Sequence, residues 1–294
     1  MILSTLDKSR KGGAYEQIPS LVLGQRWTPQ LNSRNMMKVV LCVWIEPYIE
    51  NDLSFCVWPV HTPTTSKEVL TLSASTSPLP YTGNKSCIVN TILSVMPKHT
   101  VYIDPCMGSA EVFFRKPRAE KEILNDYNGD LVNLFRVIQN NEKLAYLLGR
   151  LYLSINGELA FKQNKDRLKG VPNILDDVIE TSQIFYDASW EDIQNAAAFL
   201  ENQVYSFSST GQTFGIARRD MSQRLPRLMS AYNRIRDAII LHRDYKDVIT
   251  YAACPGSFIL LDPPYKVTED MYSKANFDIE QHDILFSFMS EVNQ

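Results

Sequence analysis

Apolar residues recur along the chain with two different periods, and the switches between them predict the elements. At 85–96 (KSCIVNTILSVM) the spacing is helical and stops at Pro97, and TVYID (100–104) is a short apolar run that predicts a strand. A turn at PCMGS, a helix through AEVFF, a second strand at KEILND (121–126) and a helix from GDLVNLFRVIQNN follow. Strand–helix–strand–helix at this spacing predicts a parallel sheet. The rhythm returns late, with strands at AIILHRD (238–244) and SFILLDPPY (257–265) and a helix at 279–292. Between them lies a helical stretch of roughly 100 residues, too long for a loop. Ile193, Ala197, Leu200 and Val204 mark one apolar helix face there. Leu225, Leu228, Met229, Tyr232 and Ile235 mark a second, with Arg224, Arg227 and Arg234 on a neighbouring face. Ahead of all this, MKVVLCVWI (37–45) and LSFCVWPV (53–60) predict two strands joined by a polar turn, and SASTSPLP (73–80) a linker. The domains expected are therefore an N-terminal extension and linker at 1–80, a sheet domain at 81–141 and 239–294, and an inserted helical domain at 142–238.

Composition changes this picture little. Of 294 residues, 45% are hydrophobic and 21% charged, with net charge −3, which excludes collagen, coiled-coil rods and wholesale disorder. The longest uninterrupted apolar run, Val39 to Ile45, is far short of the 18 or so residues of a membrane helix. The first residues lack the apolar core of a signal peptide, so a cytoplasmic protein with no membrane association is expected. Five scattered cysteines without a CxxC pair read as reduced thiols, and no metal site is expected. Charge is uneven, however. Residues 214–244 hold seven arginines against three aspartates, the local footprint of phosphate contact inside an acidic chain. The polar loop SFSSTGQTFG (206–215) just before it is placed to reach base edges or wedge into a duplex. Arg218, Arg219 and Arg224 are the candidate DNA contacts; a solvated arginine-rich face is the competing reading.

The sharpest chemical signal is Asp262-Pro263-Pro264-Tyr265 directly after the apolar run FILL. A buried parallel strand delivers such residues at its carboxyl end, where open α/β sheets bind ligands. Two prolines stiffen the turn and remove two backbone donors, leaving carbonyls to accept. A carboxylate, a fixed carbonyl and an aromatic plate together suit a planar base bearing an amino group. Its lone pair is delocalised into the ring, and acceptors on both hydrogens favour the pyramidal form that attacks a methyl group held in line. A tight Pro-Pro turn with a solvated aspartate is the bland alternative. Two further signals are weaker singly. Asp104-Pro105-Cys106-Met107-Gly108-Ser109-Ala110 follows the first strand, with Asp126 at the end of the next, the spacing at which a carboxylate meets ribose hydroxyls in nucleotide-binding sheets. Tyr81-Thr82-Gly83-Asn84-Lys85 enters a helix.

Together these segments resemble the Dam-like DNA adenine-N6 methyltransferases, in which the cofactor motif comes first, then a target-recognition domain, then the catalytic motif. The resemblance covers about 80–290 and implies a Rossmann-like S-adenosylmethionine-dependent methyltransferase sheet of α/β class with an inserted helical recognition domain. It makes YTGNK the opening motif, with Tyr81 and Lys85 at the cofactor and Lys85 near its carboxylate. YIDPCMGSAEVFF becomes the turn under the methionine moiety, with Asp104 and Gly108. Asp126 becomes the ribose ligand, Asp244 and Tyr245 in HRDYKDVI the contacts to the cofactor adenine, and Asp262, Pro263, Pro264 and Tyr265 the catalytic motif. Phe277, His282 and Leu285 fall in the helix that follows. The implied activity is site-specific methylation of adenine N6 in double-stranded DNA, with base flipping, with S-adenosyl-L-methionine as cofactor, and with no obligate protein partner evident. A restriction–modification setting is one expectation. Methylation of cytosine-N4 or of an RNA base, and a non-catalytic DNA-binding remnant, stay open.

The sequence departs from the family pattern at three points. Cys106 replaces a phenylalanine, Asn84 replaces a glycine, and Ala110 stands where the second glycine is expected, which is tolerable only if its φ is negative. Only 29 residues follow Tyr265, so the family's closing strands are expected to be missing and the catalytic strand to be an open edge. One alternative is that the N-terminal strands are the closing hairpin in permuted order, which predicts residues 37–72 beside the strand ending at Leu261.

Overall fold

The computed structural model describes residues 76–176, 190–217 and 219–263, the backbone of 39–42, and Leu285 and Phe288. Pro264 and Tyr265, Arg218, the second predicted N-terminal strand, and Phe277 and His282 lie outside the described residues. Five parallel strands form one sheet: β1 (Val39–Cys42), β2 (Val101–Asp104), β3 (Lys121–Asn125), β4 (Ile239–Leu241) and β5 (Ser257–Leu261), in the order β1-β5-β2-β3-β4. This is the Rossmann-like methyltransferase architecture that the sequence predicts.

β2, β3 and β5 form because their apolar runs are covered on both faces, as parallel strands require. Alternation sorts their side chains. Tyr102, Leu124, Phe258 and Leu260 face the larger core. Ile103, Ile123, Ile259 and Leu261 face the smaller one, with Val248, Ile249 and Leu285. Helix α8 (Tyr245–Ala252) supplies the smaller core. The larger core takes α1 (Val89–Val95), α2 (Glu111–Arg115) and α3 (Gly129–Gln139), then continues into the inserted helices α4 (Asn141–Tyr152), α5 (Glu158–Lys169), α6 (Trp190–Tyr205) and α7 (Leu225–Ile235). Helix α6 is buried from Asn195 to Tyr205 because α3, α4 and α5 enclose it.

Three expectations are corrected. β5 is not an open edge: β1 runs parallel beside it, with Val39 opposite Phe258 and Cys42 opposite Leu261. That is the position the permuted reading predicted, but the pairing is parallel, so β1 does not form an antiparallel closing hairpin with β5. On α7 the inward face is Leu228, Ala231 and Ile235, while Met229 is 51% exposed. The helix is rotated so that Arg234 points inward, where its guanidinium donates to both carboxylate oxygens of Glu122 at 2.5 and 2.8 Å. Lys116 pairs with the same carboxylate. Arg234 is therefore a core residue rather than part of a charged outer face. Ala110, finally, has φ +54°, the left-handed region that costs a non-glycine residue about 1–2 kcal/mol.

Candidate active site at the switch point of the sheet

The chain runs outward from β2 through β3 to β4, then returns to the other side of β2 as β5. The strand order thus reverses between β2 and β5, and ligands of open α/β sheets bind in the crevice outside the carboxyl ends at such a point. A cavity of about 440 Å³ opens there. Asp104 ends β2, Asp126 follows β3, Asp244 lies three residues beyond β4 and Asp262 follows β5, so the carboxyl ends of these four strands each bring a carboxylate to the cavity wall.

Asn125, fully buried, ties the rim together. Its amide nitrogen donates to the carbonyls of Pro105 (2.8 Å) and Arg243 (2.9 Å), and its oxygen accepts from Arg243 N–H (2.9 Å). The ends of β2, β3 and β4 are thereby held in register. Asp126 accepts from the backbone N–H of Gly108 (3.0 Å) and of Asn128 (2.9 Å), which aims it across the glycine turn. Gly108 has φ +48°, and a Cβ there would stand 3.7 Å from the Tyr81 ring, so the turn needs glycine for its backbone rather than for space. Asp244 caps α8 by accepting from Lys246 N–H (2.9 Å). The Lys85 ammonium, buried, pairs with Asp262 at 2.5 Å and donates to the Gly83 carbonyl at 2.8 Å.

Electrostatically the cavity is acidic. Burial, with the charges of Asp262 and Asp126, pushes Asp104 up to about 8, against a hydrogen bond from Tyr102 (2.9 Å) and the Lys85 charge. Burial also pushes Asp126 up to about 6, partly offset by its three backbone N–H donors. Cys106 is raised too, by burial and then by the surrounding carboxylates. A cation entering this space would relieve that repulsion.

Of the residues singled out from sequence, the structure brings Tyr81, Lys85, Asp104, Gly108, Asp126, Asp244, Tyr245, Asp262 and Pro263 to this one cavity. Arg219 and Arg224 lie between β3 and β4 and do not line it. Burial, then the charges of Arg227 and Arg219, lower Arg224, so the three arginines form one positive cluster. Arg219 also donates to the Val204 carbonyl at 2.5 Å, which fastens its segment to α6. The loop at 206–215 does more than the sequence suggests. Ser206 and Phe214 form an antiparallel bridge, and Ser209 to Gln212 fold over the cavity, with Thr82 Oγ1 donating to the Ser209 carbonyl at 3.2 Å. Sequence reasoning missed Asn125, Phe199, Asn202 and Gln203, which reach the cavity rim or wall through contacts distant in sequence.

A parallel sheet whose strand order reverses, with carboxylates at its strand ends and a glycine turn, is the architecture of the Rossmann-like methyltransferases. Within that class the chain belongs to the D12 class of N6 adenine-specific DNA methyltransferases, whose family model matches residues 81–294. It is 22% identical over 236 residues to modification methylase LlaI of Lactococcus lactis subsp. lactis, covering 76% of this chain and 36% of that protein. It is 25% identical over 236 residues to modification methylase StsI of Streptococcus sanguinis, covering 74% and 34%. Type II methyltransferase M.CviBI of Paramecium bursaria Chlorella virus NC1A is 22% identical over 192 residues, covering 64% and 68%. The chain thus spans about a third of the length of the first two relatives. No helix among the described residues is long and apolar enough to cross a membrane.

Proposed function

We propose that the chain transfers a methyl group from S-adenosyl-L-methionine to the N6 amine of adenine in double-stranded DNA. The observation that carries this reading is the meeting of Asp262 and Pro263, from the end of β5, with Asp126 and Gly108 at one cavity. The cavity suits the cofactor on two counts: its carboxylates favour a cation, and its glycine turn allows close approach to the backbone. When bound, the cofactor supplies a methyl group on a positively charged sulfur. Asp126 would take the ribose hydroxyls, Asp244 and Tyr245 the adenine end, and Tyr81, Lys85, Asp104 and Gly108 the methionine end. Asp262 and the Pro263 carbonyl would accept the two N–H bonds of the target amine, with Pro264 stiffening the turn and Tyr265 stacked on the base. As the new N–C bond forms the sulfur–methyl bond would break and leave a neutral thioether, with the Asp262 carboxylate placed to take the proton that the amine gives up.

Adenine inside a duplex cannot reach a sheet's end, so the target base must flip out. Residues 142–238 act as the recognition domain in this reading. Arg219 and Arg224, with Arg218, would contact phosphate. The bacterial and viral relatives are named as modification methylases or type II methyltransferases, which favours a role in modifying DNA inside the cell, in a restriction–modification system. Tritium transfer from labelled cofactor to duplex DNA tests the assignment. Wild-type chain should transfer label, and Asp262→Ala should lose about 100-fold or more, as expected for a group aimed at the reacting centre. Full transfer by Asp262→Ala would dismiss the catalytic assignment.

A further inference from the structure

We propose that two carboxamides of the inserted domain, Asn202 and Gln203 on α6, hold the amino-acid end of the methyl donor. The inference rests on the reading of the cavity as a cofactor site and extends it to residues outside the motif segments. Asn202 and Gln203 are only 3% and 6% exposed, and both line the cavity. Nevertheless, among the described residues, nothing donates a hydrogen bond to Asn202 Oδ1 or Gln203 Oε1. A buried acceptor left unsatisfied is costly, so two on successive residues that both line a cavity call for a ligand.

Other buried polar groups on the same helix are met within the protein. Asn195 accepts from Arg167 Nε at 2.6 Å. Glu201 accepts from Arg150 at 2.9 Å and from Asn164 at 2.7 Å. Asn195 and Glu201 do not line the cavity, whereas Asn202 and Gln203 do.

Their position selects the end of the ligand. One helical turn earlier, the Phe199 ring lies 6.4 Å from that of Tyr81. Gln203 packs on Gly211, where a Cβ would approach its amide nitrogen to 2.8 Å, and Ser209 of the same loop accepts from Thr82. This wall therefore faces the Tyr81–Lys85 segment, whereas Arg243, Asp244 and Tyr245 bound the cavity from the ends of β4 and α8. A carboxamide offers an acceptor to an ammonium and donors to a carboxylate, the two groups of an amino-acid zwitterion. The recognition domain thus closes the small-molecule site as well as binding DNA.

Calorimetric titration of the full chain with two probes tests this. S-adenosylhomocysteine carries the amino-acid end; 5′-methylthioadenosine shares its adenine, ribose and sulfur but lacks that end. The Asn202→Ala/Gln203→Ala variant should lose about 10- to 100-fold in affinity for the first and less than about threefold for the second. Each single variant should show the same selective loss, smaller in size, which keeps the test open if the double variant fails to fold. Equal losses for both probes, or no loss for either, would overturn the assignment while leaving the cofactor reading intact. A folded wild-type chain that binds neither probe would remove the cofactor reading itself, and the proposal with it.

Discussion

Replacing Arg234 separates two roles open to an arginine on α7. Its guanidinium is bidentate on Glu122 and lies 3.8 Å over the Phe113 ring, and Lys116 holds the same carboxylate. Arg234, Glu122 and Lys116 are 8%, 6% and 3% exposed. Burial alone would raise Glu122, but the hydrogen bonds from Arg234 and the nearby Lys116 outweigh it and hold the carboxyl below its usual range. Removing one partner of a buried pair costs about 3–5 kcal/mol when it strands a bare charge. After Arg234→Ala the carboxylate keeps Lys116, so the loss should be smaller, about 2–3 kcal/mol, including a cation–ring contact worth about 0.5–2 kcal/mol. Glu122→Ala strands two cations and should cost the full 3–5 kcal/mol or so. Urea unfolding gives the order: wild type most stable, then Arg234→Ala, then Glu122→Ala. DNA affinity of folded Arg234→Ala, measured across salt concentrations, should keep the wild-type slope. Full stability together with a slope reduced by about 0.9 would refute the argument and return Arg234 to the DNA face.

Three other outcomes follow from the same geometry. Arg224→Ala and Arg227→Ala should each weaken DNA binding and reduce the salt slope by about 0.9 if each neutralises one phosphate, with stability little changed for the exposed Arg227. Asp104 has a folded pKa near 8 against 3.8 unfolded, so its contribution to stability is complete below pH 4 and lost as pH rises toward 8. Without cofactor, urea stability should therefore fall by about 4 kcal/mol between pH 5 and 8 on account of Asp104, and Asp104→Asn should flatten that fall. Gly129→Ala places a Cβ 2.8 Å from Asn173 Oδ1 and 2.9 Å from His242 Cε1, and should cost about 1–2 kcal/mol. Pairing it with Asn173→Ala should recover part of that loss in the same unfolding assay.

The sheet was legible where apolar runs are buried on both faces, because a continuous run such as FILL needs no knowledge of its neighbours. The cavity residues from the strand ends were legible for the same reason: strand ends locate Asp104, Asp126 and Asp262 by themselves, whereas Asp244, three residues beyond β4, came from the family resemblance. What escaped depends on partners far along the chain. Arg234 reads as exposed until Glu122, 112 residues earlier, is known to face it, and one residue of rotation then sends Met229 outward. Ala110 keeps a positive φ although its sequence position argues for glycine, because Phe114 N–H and the Met107 carbonyl fix the turn on either side of it. The parallel pairing of β1 with β5 spans more than 200 residues, and no local pattern specifies its direction. Asn202 and Gln203 sit on a helix whose apolar spacing predicts only packing.

The most direct test is the identity of the nucleoside produced. Duplex DNA of mixed sequence, incubated with the chain and S-adenosylmethionine, is digested and its nucleosides separated by mass. Family membership, with Asp262 and Pro263 at the cavity, predicts N6-methyladenine, absent when Asp262 is alanine. N4-methylcytosine as the product would move the activity to another amine. No methylated base from a folded chain that binds both cofactor and DNA would contradict the assignment of a catalytic site.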